Sequence, residues 1–169
     1  MRAFICLITA LAAYMPIASL AQSEAQYKLR EETPRTGTNI RKNLTEPINV
    51  AINLSYAELS AEEKKRVRGN YEVMPDADEP PFPKKGLRAL IKPISQLQQK
   101  LLVEGPLSLI GLIDENGKVV EVKAIGSPSP EMTKFASSVM ILTEFKPAVC
   151  AGQPCVMEFP FRMQFTTRR

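Results

Sequence analysis

Residues 107–125 read LSLIGLIDENGKVVEVKAI. Two apolar-rich runs, Leu107 to Asp114 and Lys118 to Ile125, meet at Asp114-Glu115-Asn116-Gly117, and Asn-Gly is a pair that accepts the positive φ of a tight hairpin turn. The segment therefore predicts an antiparallel hairpin. In its second run Val120, Val122 and Ala124 alternate with Glu121, Lys123 and Ile125, which predicts one buried face and one largely wet face.

On the N-terminal side of the hairpin, Leu87, Leu90, Ile91, Ile94, Leu97, Leu101 and Leu102 recur every three or four residues, the spacing of one apolar helical stripe. This predicts a core-facing helix of about 16 residues, kinked or restarted at Pro93 and ended by Gly105-Pro106. On the C-terminal side, Ser129-Pro130-Glu131 reads as an N-cap, a proline at the first helical position and an acidic first turn. The helix it opens should turn Met132, Phe135, Ala136, Val139 and Leu142 inward.

The last unit runs from Phe145 to Cys150, turns through Ala151-Gly152-Gln153-Pro154 and returns from Cys155 to about Thr166. Cys150 and Cys155 flank that turn, where cross-strand Cβ atoms approach the ~3.5–4.5 Å a disulfide needs. The spacing is not C-x-x-C, so a structural bridge is expected over a redox-active pair. By parity, Phe159, Phe161 and Phe165 share the core face of the final strand, while Glu158, Pro160, Arg162 and Gln164 are expected outward.

Composition narrows the function. Among 169 residues there is no histidine, which excludes His-dependent triads, His general bases and His-rich zinc sites. No pair of carboxylates sits on one rigid predicted element, so neither catalysis nor a cofactor or metal is expected. The net charge of +4 is scattered rather than clustered, so no nucleic-acid partner is expected.

At the N-terminus, Met1-Arg2-Ala3, an apolar run from Phe4 to Leu20 and the exit Ala18-Ser19-Leu20-Ala21 have the order of a signal peptide, residues 1–21, cleaved after Ala21. The alternative is an uncleaved anchor, since the run approaches the ~18–20 residues of a membrane span. Pro16 and the Ala-x-x-Ala exit favour cleavage, and no cysteine follows for a lipid anchor. With Cys6 removed, Cys150 and Cys155 remain as an even pair in an exported chain.

Residues 22–75 are expected to be a linker or extension, with one alternation, Ile48, Val50, Ile52 and Leu54, that leaves a short strand as an alternative. Ser60-Ala61-Glu62-Glu63 is a capping box and predicts a short helix near 61–68, stopped at Gly69, whose Lys64, Lys65, Arg66 and Arg68 form a solvated face. The proline-dense stretch from Met74 to Pro83 should run extended, and its Asp76, Asp78 and Glu79 lack the spacing of a calcium loop. A domain boundary is expected near residue 76.

In this order, residues 79–167 resemble the TonB C-terminal domain. Pro81-Phe82-Pro83 is similar to that family's Pro-aromatic-Pro start, and Gly117-Lys118-Val119 to its "GkV" hairpin. Phe145-Lys146-Pro147-Ala148 with Gly152-Gln153-Pro154 is similar to its "F-x-P-A…G-x-P" segment, and Phe159 to Phe165 to its closing strand. The resemblance implies an α+β two-layer sandwich over 76–169, a three-stranded antiparallel sheet with helices on one face, in the periplasm of a Gram-negative envelope. It also implies a partner: the extended N-terminal segment of a TonB-dependent outer-membrane transporter, added to the edge of the sheet. The last strand is the natural edge, with Val156, Glu158, Arg162 and Gln164 as the expected partner-binding residues. The chain departs from TonB in lacking the intramembrane histidine, the long proline-rich spacer and an aromatic-basic end before Phe145. The expectation is thus a soluble binding or adaptor protein linked to transport. The alternatives are an envelope structural module on the same fold, or an anchored energy transducer if the leader is retained.

Overall fold

The computed structural model describes residues 30–31, 40–41 and 48–167; the expected signal peptide, and the expected linker up to residue 47 apart from those two short pieces, lie outside it. In chain order the elements are strand β1 (Arg30–Glu31), a 3-10 turn (Tyr56–Glu58), helix α1 (Ala61–Arg68), strand β2 (Phe82–Pro83), helix α2 (Arg88–Leu101), strands β3 (Gly105–Ile113) and β4 (Val119–Gly126), and helix α3 (Pro130–Leu142). Strands β5 (Phe145–Lys146), β6 (Ala148–Cys150), β7 (Gln153–Cys155) and β8 (Met157–Phe165) complete the chain. The result is an α+β architecture built on the antiparallel strands β4-β3-β8, with the two residues of β1 added in parallel beyond β4.

β3 and β4 form the hairpin, but its turn differs from the two-residue form that Asn-Gly suggests. Gly117 alone takes a positive φ, +81°, and its N–H donates to the Asp114 carbonyl. The Asp114 carboxylate accepts from the Asn116 and Lys118 N–H groups at 2.9 and 2.7 Å, and these amide bonds hold its pKa below the ordinary carboxylate value. A Cβ on Gly117 would overlap the Phe145 carbonyl, so the hairpin tip and β5 are mutually seated.

The simple alternation expected in β4 is broken twice. Ile113 pairs with Val119 and Leu112 with Glu121, which leaves Val120 extra; Ser108 pairs with Gly126 and Leu109 with Ala124, which leaves Ile125 extra. Each bulge pushes its residue outward, so Val120 is 60% exposed while Val122 and Ala124 stay buried.

α2 and α3 pack side by side over one face of the sheet. In α2, Leu90 and Ile94 are fully buried, and Pro93 lies in the second turn without ending the helix. The stripe is shorter than its sequence: Leu101 and Leu102 are exposed, because Leu102 caps the helix at φ +53° and turns the chain away. α3 starts on the expected Ser129 cap, whose hydroxyl accepts from Met132 N–H at 3.1 Å. Its buried row is Met132, Ala136 and Met140, and a Cβ on Gly111 would meet the Met140 sulfur at 2.7 Å, so α3 crosses β3 there. That crossing leaves Phe135 and Leu142, expected inside, exposed.

The core does not break at residue 76. Val50, Tyr56, Leu59 and Val67 share it with Phe82, Leu87, Phe145 and Phe159. Phe159 of β8 meets the rings of Phe82 at 6.3 Å and Phe145 at 5.1 Å, both edge-on, and Tyr56 tilts onto Phe82 at 5.9 Å. Residues 48–54 form a turn rather than a strand, and the start of α2 docks on it: Arg88 N–H donates to the Ile52 carbonyl at 2.7 Å. The Ser60–Glu63 capping box is present, and Glu63 also accepts from Ala51 N–H at 2.7 Å. α1 is therefore tied down from both ends. Its basic residues are tethers as much as a wet face, since Arg68 donates to the carbonyls of Met74, Pro75 and Asp78.

The segment before α2 is extended, as its prolines require, and zips against the last hairpin. β2 pairs with β5, Glu79 exchanges backbone bonds with Val149, and the Asp78 carboxylate accepts from Ala151 N–H at 2.8 Å. The β6–β7 turn is two residues long: Ala151 and Gly152 both have positive φ, as a type I′ turn needs. Cys150 consequently pairs with Gln153, and Cys155 with Ala148, so the two cysteines bridge on the diagonal, with Cα atoms 5.8 Å apart.

Candidate functional site

β8 pairs with β3 over nine residues, from Met157 against Ile113 to Phe165 against Gly105, and has no strand on its other side among the described residues. Two observations fix which backbone groups face that open side. Pro160 has no N–H to give to β3, and the Glu158 carbonyl accepts the Tyr71 hydroxyl at 2.9 Å instead of pairing inward. In an antiparallel ladder a residue's N–H and C=O point the same way, and alternate residues point alternately. Glu158, Pro160, Arg162 and Gln164 therefore direct their backbone outward, while Phe159, Phe161, Met163 and Phe165 hold β3.

The four residues expected to bind a partner do not act alike. Val156 is exposed but precedes the strand. Glu158 is withdrawn from any ligand. Its side chain is 15% exposed and lies 3.0 Å from Lys123 Nζ across the sheet, its carbonyl is taken by Tyr71, and its Oε2 is buried without a partner. The face expected outward is covered here because Ile40 and Tyr71 pack on Ile110, with Met74 and Met157 alongside. Burial, and the neighbouring Glu158 charge after it, push the Tyr71 phenol far above its ordinary pKa, so the hydroxyl stays a donor. Pro160 is buried in the same patch.

Arg162 and Gln164 remain. Together with the carbonyl of Pro160, their outward backbone groups face no strand among the described residues. Beside them runs a groove of about 210 Å3 between the start of α2 and β8. Leu87, which precedes α2, and Ile91 of α2, Phe161 and Met163 of β8, and Ile48 give it an apolar lining, with Arg162 and Gln164 at the strand side. Arg162 is half-buried, and that desolvation lowers its pKa with no carboxylate beside it among the described residues. An open ladder next to an apolar groove is the geometry that accepts an added strand: the backbone supplies hydrogen bonds and the groove takes alternate side chains.

Sequence reasoning missed Tyr71, which closes one end of the edge, and the groove wall formed by Ile48, Leu87 and Ile91. Leu87 and Ile91 carried a signal, since they lie on the expected apolar stripe. Tyr71 carried none, because its bond to Glu158 spans 87 positions in sequence.

The acidic trio is structural. Asp76 lies 3.6 Å from Arg68, Glu79 lies 2.9 Å from Lys146, and Asp78 accepts the amide bond already described. Lys146 also stands over the Tyr56 ring at 5.2 Å, and Lys64 over the same ring at 5.6 Å. Burial, followed by the Glu79 charge, raises the Tyr56 pKa. A second groove, of about 350 Å3, lies between the start of α2 and the end of α3, beside Ala89, Val139 and the exposed Leu142.

Neither a scan against protein-family models nor a search of curated proteins finds a match for the chain. No helix among the described residues is long and apolar enough to cross a membrane.

Proposed function

We propose that the chain is a non-enzymatic periplasmic protein of the TonB C-terminal type that binds an extended peptide by strand addition to β8, in the service of TonB-dependent outer-membrane transport. One observation carries this reading: the open stretch from Pro160 to Gln164 lies directly beside an apolar groove. Supporting it are the sequence features that resemble the family, above all Phe82, Gly117 and Phe145, which the fold uses as core anchor, turn and seat for that turn. The partner is the N-terminal segment of a transporter, and no cofactor or metal takes part.

The test is photo-cross-linking from Gln164 in the exported protein within envelope extracts, with adducts identified by mass. Adducts to a transporter's N-terminal segment are expected. Adducts confined to other envelope components would overturn the transport role. A second variant checks strand addition itself. Arg162→Pro, with the photoreactive residue kept at position 164, removes an outward amide without touching the β3 ladder and should abolish the adduct, whereas capture unchanged in that variant would refute strand addition.

A further inference from the structure

We infer that the strand added to β8 carries a carboxylate side chain opposite Arg162, with an apolar residue on each side of it. This rests on the edge-strand reading above and specifies its ligand.

The argument follows from the two faces of an added strand. A residue placed opposite Arg162 shares its side of the sheet, and directly opposed side chains sit about 4.5–5.5 Å apart at Cβ. The residues flanking it fall opposite Phe161 and Met163 and point to the other side, over Leu87, Ile91 and Ile48. That side offers only apolar surface. On the first side the nearest fixed charges along the strand are already matched, because Glu158 is paired with Lys123, and the next outward residue, Gln164, is neutral. Arg162 is the unmatched charge. It is half-buried, its pKa reflects desolvation alone, and no described carboxylate lies within ion-pair distance of it. A guanidinium held in that way gains most from a planar acceptor that arrives with the ligand, and a carboxylate takes two of its N–H donors at once. An opposed lysine or arginine would be repelled, so the same residue selects and rejects.

Tyr71 and Pro160 fix where this happens. The Tyr71 hydroxyl occupies the Glu158 carbonyl, and Pro160 offers an acceptor but no donor, so an incoming strand finds its first two-way partner at Arg162. The ligand's register is set from that end, and the acidic residue is delivered to one position rather than spread along the edge.

The experiment measures binding of three capped hexapeptides, Thr-Val-Glu-Val-Thr-Val and its Gln and Lys counterparts at the third position, to the exported full-length chain by fluorescence anisotropy. The Glu peptide should bind about five- to tenfold more tightly than the Gln peptide, and the Lys peptide more weakly than either. In Arg162→Gln the Glu preference should vanish while affinity for the Gln peptide stays within about twofold, which also reports that the variant is folded. In Arg162→Glu the order should reverse in favour of the Lys peptide. Equal binding of all three peptides to the unaltered chain would overturn the carboxylate inference and leave strand addition standing. Binding of none would overturn both.

Discussion

Two glycines with nearly the same φ separate the left-handed conformation from the contact it permits. Gly117 in the β3–β4 turn has φ +81°, and Gly152 in the β6–β7 turn has φ +82°. An added Cβ on Gly152 meets nothing within 4 Å, whereas on Gly117 it overlaps the backbone carbonyl of Phe145. Gly152→Ala thus carries the left-handed penalty of roughly 1–2 kcal/mol, reduced by about 0.4–1 kcal/mol because alanine stiffens the unfolded chain. The net is about 1 kcal/mol. Gly117→Ala carries the same net and must also displace β5, whose Phe145 side chain is fully buried against Phe159. Forcing that shift in a packed core adds about 1–3 kcal/mol, and loss of the Phe145 N–H bond to the Gly117 carbonyl adds about 1 kcal/mol. The total is about 3–5 kcal/mol. Equilibrium urea unfolding without reductant measures both, and the midpoint of Gly117→Ala should fall at least twice as far as that of Gly152→Ala at unchanged slope. Losses within about 0.5 kcal/mol of each other would refute the seating of the hairpin tip on β5.

Lys123→Met strands the Glu158 carboxylate beneath Tyr71 and should destabilise by about 2 kcal/mol, discounted from a fully buried pair because both side chains keep some exposure. Lys123→Met with Glu158→Leu should recover most of that loss in a double-mutant thermal cycle. Replacing Cys150 and Cys155 by serine should cost about 2 kcal/mol, since the loop they close is short, and a loss above about 4 kcal/mol in urea would show that the bridge holds more than its own turn. The amides of Ala51 and Ser60 hold the Glu63 carboxylate below its ordinary pKa of 4.5. Its contribution is therefore complete above that value and is lost as pH falls through the lower folded value. Glu63→Gln should flatten the acid limb of stability against pH below about pH 4.5 and leave the profile above it parallel to that of the parent.

Local chemistry made much of the fold legible. The Ser60–Glu63 box, the Ser129-Pro130 start and the hairpin on either side of Gly117 are contacts between residues three or four apart, so their residue types suffice to specify them. What the sequence hid depends on packing between distant segments. Phe135 and Leu142 look as apolar as Met132, and only the crossing of α3 over Gly111 decides which row is buried. Bulges at Val120 and Ile125 flip side chains without changing the apolar pattern. At the candidate site, parity correctly separated Arg162 and Gln164 from the phenylalanines. It could not reveal that Tyr71 and Lys123 would consume Glu158, because those partners come from a segment read as linker and from another strand.

The continuity of the core across residue 76 has a practical side. A fragment cut to begin at residue 76, where the family-like pattern starts, loses Val50, Tyr56, Leu59 and Val67 and lays bare the ring of Phe82 that they cover. It also loses Tyr71, the stopper of the edge, and Ile48, one wall of the groove. Such a piece would show an unguarded strand and a sticky aromatic face, and would pair with itself before any peptide reached it. The smallest piece that closes both the core and the patch over Ile110 begins at about residue 40, and it brings the wall and the stopper with it.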